Sequence, residues 1–154
     1  MRLMKFALVV ILVAAADGVQ AQADPTVGTW KLNLAKSKYN AGEPPKSSTV
    51  VIAAAGQGIK LTADTVLADG TARKISYTAT YDGKDAVVTG TPDYDGMSLK
   101  KTANGVEGSR KKAGKVVQTY TRVVSADGKT MTVTSTGTNA SGGKVDNVQV
   151  YDKQ

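Results

Sequence analysis

From residue 27 onward, apolar and polar residues alternate in short bursts, and most bursts end at a glycine. Gly28, Trp30, Leu32 and Leu34 fall on one side of a two-residue repeat. So do Ile59, Leu61 and Ala63, then Ile75, Tyr77, Ala79 and Tyr81, and later Met131 and Val133. A period of two marks a strand with one buried and one wet face, because successive side chains point to opposite sides. The bursts are separated by Gly56-Gln57-Gly58, Asp69-Gly70, Asp82-Gly83, Asp95-Gly96, Asn104-Gly105, Ala113-Gly114, Asp127-Gly128 and Gly142-Gly143. Asp-Gly and Asn-Gly suit tight hairpins, whose central residues need positive φ. The pattern predicts ten strands, at about 27–34, 47–55, 58–67, 71–81, 84–90, 96–102, 105–112, 115–125, 129–138 and 143–152. Residues 35–46 break the alternation. They read as a loop, since Pro44 and Pro45 cannot lie in a central strand.

Ten short antiparallel strands leave two unpaired edges unless the sheet closes or splits in two. The short links between successive strands favour an up-and-down β-barrel over a Greek key, which needs a long return connection. A β-sandwich has the same strand pattern and stays open as an alternative.

The N-terminus is of a different kind. Arg2 and Lys5 precede an unbroken apolar run, Phe6 to Ala16, and small residues follow at Val19, Ala21 and Ala23. This is the pattern of a secretory signal peptide over residues 1–23, and the run is too short to span a bilayer. The expected mature chain, 24–154, is one domain large enough for a core without staples. It carries 18 basic and 12 acidic residues, a net charge of +6. The expected location is the periplasm or the external medium, where a basic protein is drawn to anionic envelope surfaces. Cysteine and histidine are both absent. Disulfides, Ser–His and Cys–His catalysis, and zinc sites built on those residues are thereby excluded.

The two ends of the mature chain resemble a known class. Gly28-Thr29-Trp30-Lys31-Leu32 opens the first strand, and Val150-Tyr151-Asp152-Lys153 closes the last. The pairing resembles the fatty-acid-binding proteins and, more loosely, the lipocalins, which are calycin-type barrels. With Lys36-Ser37-Lys38-Tyr39 and Pro44-Pro45-Lys46-Ser47, the chain also looks like small exported bacterial proteins described as lipocalin-like. The resemblance implies a barrel fold rather than an activity; a small apolar or amphipathic ligand is the expected partner of such a barrel. Two departures stand out. Residues 35–46 are too few for the helix-turn-helix lid of fatty-acid-binding proteins. Gln149 occupies the place of the arginine in their Arg-x-Tyr pair, although Tyr151 matches. An amide can hydrogen-bond a carboxylate without compensating its charge.

The resemblance to lipocalins also implies that Trp30 closes the barrel base with an arginine over it, for which Arg122 is the candidate. On that reading, Arg122→Ala lowers the melting temperature and shifts Trp30 fluorescence. On the eighth strand Gln118, Tyr120 and Arg122 share a face, and on the tenth Asn147, Gln149 and Tyr151 do so. If these faces point inward, Tyr120, Arg122, Gln149 and Tyr151, with Tyr77 from the fourth strand, make a polar cluster among apolar walls. Small-ligand sites look like this. If they point outward, Val117, Val123, Val148 and Val150 fill a solid core instead.

Asp93 with Asp95, and Asp82 with Asp85, offer carboxylates near glycines, but neither pair has calcium-loop spacing. No metal and no cofactor is expected. Lys100-Lys101 and Arg110-Lys111-Lys112 are the tight basic clusters. Without interleaved aromatics they read as a solvated face, and nucleic acid is not an expected partner. The sequence thus points to an exported, non-catalytic barrel binding a lipid-like ligand. Its rival is an envelope interaction module with a filled core, acting through its basic surface.

Overall fold

The computed structural model describes residues 23–103 and 105–154. The expected signal peptide lies outside these residues save for Ala23, as does Asn104 of the Asn-Gly turn signal. Eleven strands form: β1 Gly28–Leu32, β2 Lys38–Tyr39, β3 Ser47–Ala55, β4 Gly58–Val66, β5 Ala72–Thr80 and β6 Ala86–Thr89. The second half holds β7 Gly96–Thr102, β8 Gly105–Lys112, β9 Lys115–Val124, β10 Thr130–Thr138 and β11 Lys144–Lys153. Each strand from β3 to β10 is antiparallel to the one that follows it, β1 pairs with β3, and β11 returns to β1 through Trp30↔Lys153 and Leu32↔Tyr151. Ten strands therefore close into an antiparallel barrel, and the sandwich is excluded.

The stretch expected to be a plain loop holds more order than its prolines suggest. A short 3₁₀ turn spans Leu34–Lys36, and β2 adds Lys38 and Tyr39 to the flank of β11. The strand stops before the prolines, so the restriction they impose holds. Two residue pairs are too local a feature for alternation to reveal.

Turns occur at most of the announced glycines, but Asp95-Gly96 ends the 90–95 loop and Gly96 is the first residue of β7. Between β9 and β10, Gly128 has φ of 71°, a left-handed conformation that glycine adopts without steric cost. Asp127 Oδ1 accepts the Lys129 amide there, at 3.0 Å. Inward positions form one continuous core, including Trp30, Ile52, Ile59, Leu99, Val106 and Met131, all 2% exposed or less. β6 is the weakest link. Only two residue pairs join it to each neighbour.

The segment ahead of β1 plugs one end. Thr26 is 1% exposed, and its carbonyl accepts the Trp30 indole N–H at 2.8 Å. Asp24 fixes that segment by accepting the Thr26 amide (2.9 Å), the Thr26 hydroxyl (2.7 Å) and the Tyr81 hydroxyl. Burial pushes the Asp24 carboxyl up, but the hydrogen bonds from Tyr81 and Thr26 outweigh it and hold the group below its ordinary value. The Tyr81 phenol is pushed up to about 12, by burial first and by Asp24 second.

A carboxylate whose native pKa is depressed stabilises the fold above its unfolded value. Its contribution is complete above 3.8 and disappears as pH falls from there through the lower native value. Because Asp24 is partly solvated, the expected size is on the order of 1 kcal/mol. Asp24→Asn should therefore melt earlier than wild type at pH 7 and show a flatter stability profile below pH ~4. Thermal denaturation followed by Trp30 fluorescence reads both; parallel profiles for the two proteins would remove Asp24 from the account.

Candidate ligand-binding cavity

The barrel is hollow. A cavity of about 560 Å³ lies inside, with Val50, Leu61, Ile75, Met97, Met131 and Val133 among its apolar walls. The solid core that Val117, Val123, Val148 and Val150 would have filled does not form, and those four are only half-buried. The register explains the choice. Gln118, Tyr120, Arg122 and Val124 occupy the inward face of β9, each 6% exposed or less. A one-residue slip would exchange the faces, but Met131↔Val124 and Val133↔Arg122 pin the strand against β10.

Tyr77, Tyr120, Arg122, Gln149 and Tyr151 all line this cavity. Arg122 is 2% exposed. Its Nη1 donates a long hydrogen bond, 3.5 Å, to the Tyr77 hydroxyl. Nε and Nη2 have no partner among the described residues, nor has the Tyr120 hydroxyl. Gln149 donates to the Tyr39 hydroxyl at 3.0 Å, so β2 closes over one side of the pocket. Burial pushes the Tyr151 phenol up to about 12 and the Tyr120 phenol well above the usual tyrosine value. Both are neutral hydroxyls at physiological pH and offset no positive charge.

Trp30 is not part of the cavity wall. The cation over its indole is Lys153, with Nζ 5.1 Å from the ring centroid. This corrects the expected Trp30–Arg122 stack. Closure brings the end of β11 beside β1, Trp30↔Lys153, while Arg122 turns to the tyrosines.

Sequence reading missed Arg110, which it assigned to a solvated basic cluster. Alternation along β8 puts Val106, Gly108 and Arg110 on one face, and a register shift at Arg110/Lys111 separates Arg110 from the lysines that follow. Arg110 points inward, donating from Nη1 to Gln118 Oε1 (2.8 Å) and Ser135 Oγ (3.2 Å). The rings of Tyr94 and Tyr120 flank its guanidinium, at 4.9 and 4.8 Å to their centroids. Lys111 and Lys112 face out and pair with Asp85 (2.7 Å) and Asp95 (3.7 Å). Asp82 pairs with Lys84.

Tyr94 reaches Arg110 because its loop, residues 90–95, is tied down at the mouth. Asp93 Oδ2 accepts Arg73 Nη1 at 3.0 Å, and Asp93 Oδ1 accepts the Ala140 amide at 3.0 Å. One carboxylate thus joins β5, the β6–β7 loop and the β10–β11 turn, and it neutralises Arg73. None of the ion pairs among the described residues includes Arg110 or Arg122. Guanidinium is charged at any pH a protein meets. The cavity therefore holds two guanidiniums without a paired carboxylate, Arg122 buried and Arg110 partly buried, while Glu43, Asp69 and Asp93 also lie among its lining residues.

The closed ten-stranded antiparallel barrel around a cavity has the calycin-type fold, the fold seen in fatty-acid- and bile-acid-binding proteins. The zebrafish ileal bile acid-binding protein, solved in complex with cholic acid, is similar in structure. Its TM-score is 0.51 at 13% sequence identity, and the match covers 85% of this chain and 100% of that one. No family model and no curated protein sequence matches this chain.

Proposed function

We propose that this chain is an exported, non-catalytic binding protein that encloses a small amphipathic, lipid-like ligand and seats the ligand's anionic head at Arg122. The observation that carries the reading is a guanidinium, 2% exposed and without a carboxylate partner, inside a cavity of mixed polar and apolar lining. An isolated buried charge costs several kcal/mol, and an arriving anion with its own hydrogen bonds offsets that cost. The tyrosine hydroxyls beside it add donors for the same head. Apolar walls then take the tail, in the arrangement common to small-ligand sites.

The structural neighbour is complexed with cholic acid, an amphiphile bearing one carboxylate. Likeness of fold supports the container, and the choice of an anion rests on the lining of this one. Export is supported by the charged, apolar and small-residue succession over residues 1–23. A binding role without catalysis is supported by the lack of histidine and cysteine in the chain, which removes the imidazole and thiol groups of Ser–His and Cys–His catalysis from the cavity lining.

Native mass spectrometry of protein purified from its own host tests the proposal directly. The expected result is a bound anionic lipid-like molecule, and displacement of a fluorescent fatty-acid probe from the delipidated protein. Recovery of ligand-free protein that also ignores such probes would defeat it.

A further inference from the structure

The cavity holds a second cationic seat, and its position bears on the kind of ligand that fits. We infer that the preferred ligand is a two-headed amphiphile with an anionic group at each end of an apolar spacer, one seated at Arg122 and the other at Arg110. This rests on the reading of the cavity as a site for an anionic amphiphile and extends it.

Arg110 and Arg122 sit on neighbouring strands at different heights. Arg122 pairs in register with Val106 and Arg110 with Gln118, four residues apart along β9. The Arg110 guanidinium reaches back to Ser135, which pairs with Tyr120, two residues from Arg122. The two charges are therefore separated by two to four residues of strand, roughly 7–13 Å. Beyond about 8 Å a single carboxylate, which meets each guanidinium over bonds of about 2.7–2.9 Å, does not reach both.

Between them on β9, Tyr120 is folded against the wall. Its ring lies over Gly108, where a Cβ would come within 2.7 Å of Cε1. Glycine at 108 lets the aromatic ring lie flat rather than project across the bore. Met97 and Val133 line the same cavity and supply apolar surface for a spacer.

Arg110 is held for this work rather than used up by it. Its named hydrogen-bond partners, Gln118 and Ser135, are neutral, its two ring neighbours are phenols, and its Nε has no partner among the described residues. Neutral acceptors and aromatic faces orient a guanidinium while leaving its charge to be met by an anion.

The test is calorimetric titration of the delipidated protein with decanedioate, decanoate, 10-hydroxydecanoate and decanol. Decanedioate is expected to bind at least about tenfold tighter than decanoate, with 10-hydroxydecanoate close to decanoate, because charge at the far end decides the difference. Arg110→Gln should erase the advantage of decanedioate over decanoate, whereas Arg110→Lys should retain part of it. Decanedioate no tighter than decanoate in the wild-type protein overturns the inference, whatever the variants do. If decanoate still loses affinity on Arg122→Gln in that case, the single-headed reading stands by itself. If none of the four compounds binds, both readings fall.

Discussion

Replacing Arg122 with methionine should raise the melting temperature of the ligand-free protein by roughly 3–10 °C while weakening carboxylate binding by about two orders of magnitude. The two effects have one cause. Arg122 is 2% exposed, it has no carboxylate partner, and two of its three nitrogens make no hydrogen bond among the described residues. Exchanging even a well-paired buried ion pair for apolar side chains of similar volume often stabilises a protein by about 1–4 kcal/mol. An unpaired charge gives a greater reason to expect a gain. Methionine has a comparable length and enough flexibility to fill the gap beside Val106 and Val133.

The same exchange removes the cation that meets a ligand head. Losing one member of a buried charge pair in a complex costs about 2–5 kcal/mol. Calorimetric scanning of delipidated protein and titration with decanoate check the two halves. A lower melting temperature for Arg122→Met would show that the guanidinium belongs to the scaffold, and the proposed anion seat would lose its basis. This expectation runs opposite in sign to the stability loss that a Trp30–Arg122 stack predicted for Arg122→Ala, so one melting experiment separates them.

Removing the Trp30 side chain has the other large expected effect. Trp30→Ala should cost about 3–5 kcal/mol and lower the melting temperature by roughly 10 °C. Trp30 is 0% exposed and among the largest fully buried side chains of the core. Its indole N–H holds the Thr26 carbonyl, and through Thr26 it holds the segment that Asp24 pins to Tyr81. Loss of the ring leaves a void at the plugged end and frees that segment. Trp30→Phe keeps most of the volume and drops the hydrogen bond, so it should cost only about 1–2 kcal/mol. Equal losses in the two variants would show that the hydrogen bond, not packing, dominates. An unchanged melting temperature in Trp30→Ala would mean that the plug contributes nothing to stability.

Strands were legible because their cause is local. Ile75, Tyr77 and Ala79 alternate with polar residues, and Asp127-Gly128 announces its turn within a few positions. All ten expected strands form, with ends displaced by three residues or fewer. The inward faces of β1, β4, β5 and β10 follow the same alternation, save that Leu34 lies beyond the end of β1 and is 41% exposed. β2 was invisible, since Lys38 and Tyr39 become a strand only by meeting Asn147 and Val148, more than a hundred positions away.

The cavity was legible in part. Tyr120, Arg122, Gln149 and Tyr151 shared the right faces in the sequence, yet a face carries no label saying which side is inside. Arg110 was hidden because it stands next to two lysines and composition grouped the three. Tyr94 was hidden because its loop has no periodicity, and the Asp93 bonds to Arg73 and Ala140 bring it over Arg110.

The amino-acid order by itself determined that this chain forms short antiparallel strands joined by glycine turns, because alternation and positive φ are properties of adjacent residues. It also excluded chemistry that needs histidine or cysteine. Tertiary structure alone decided which mixed faces turn inward, that Lys153 rather than Arg122 covers Trp30, and that two arginines share a cavity with no carboxylate paired to either among the described residues. Those outcomes depend on register and closure between residues far apart in sequence, where the energy of burying one face against another outweighs any preference of a single segment.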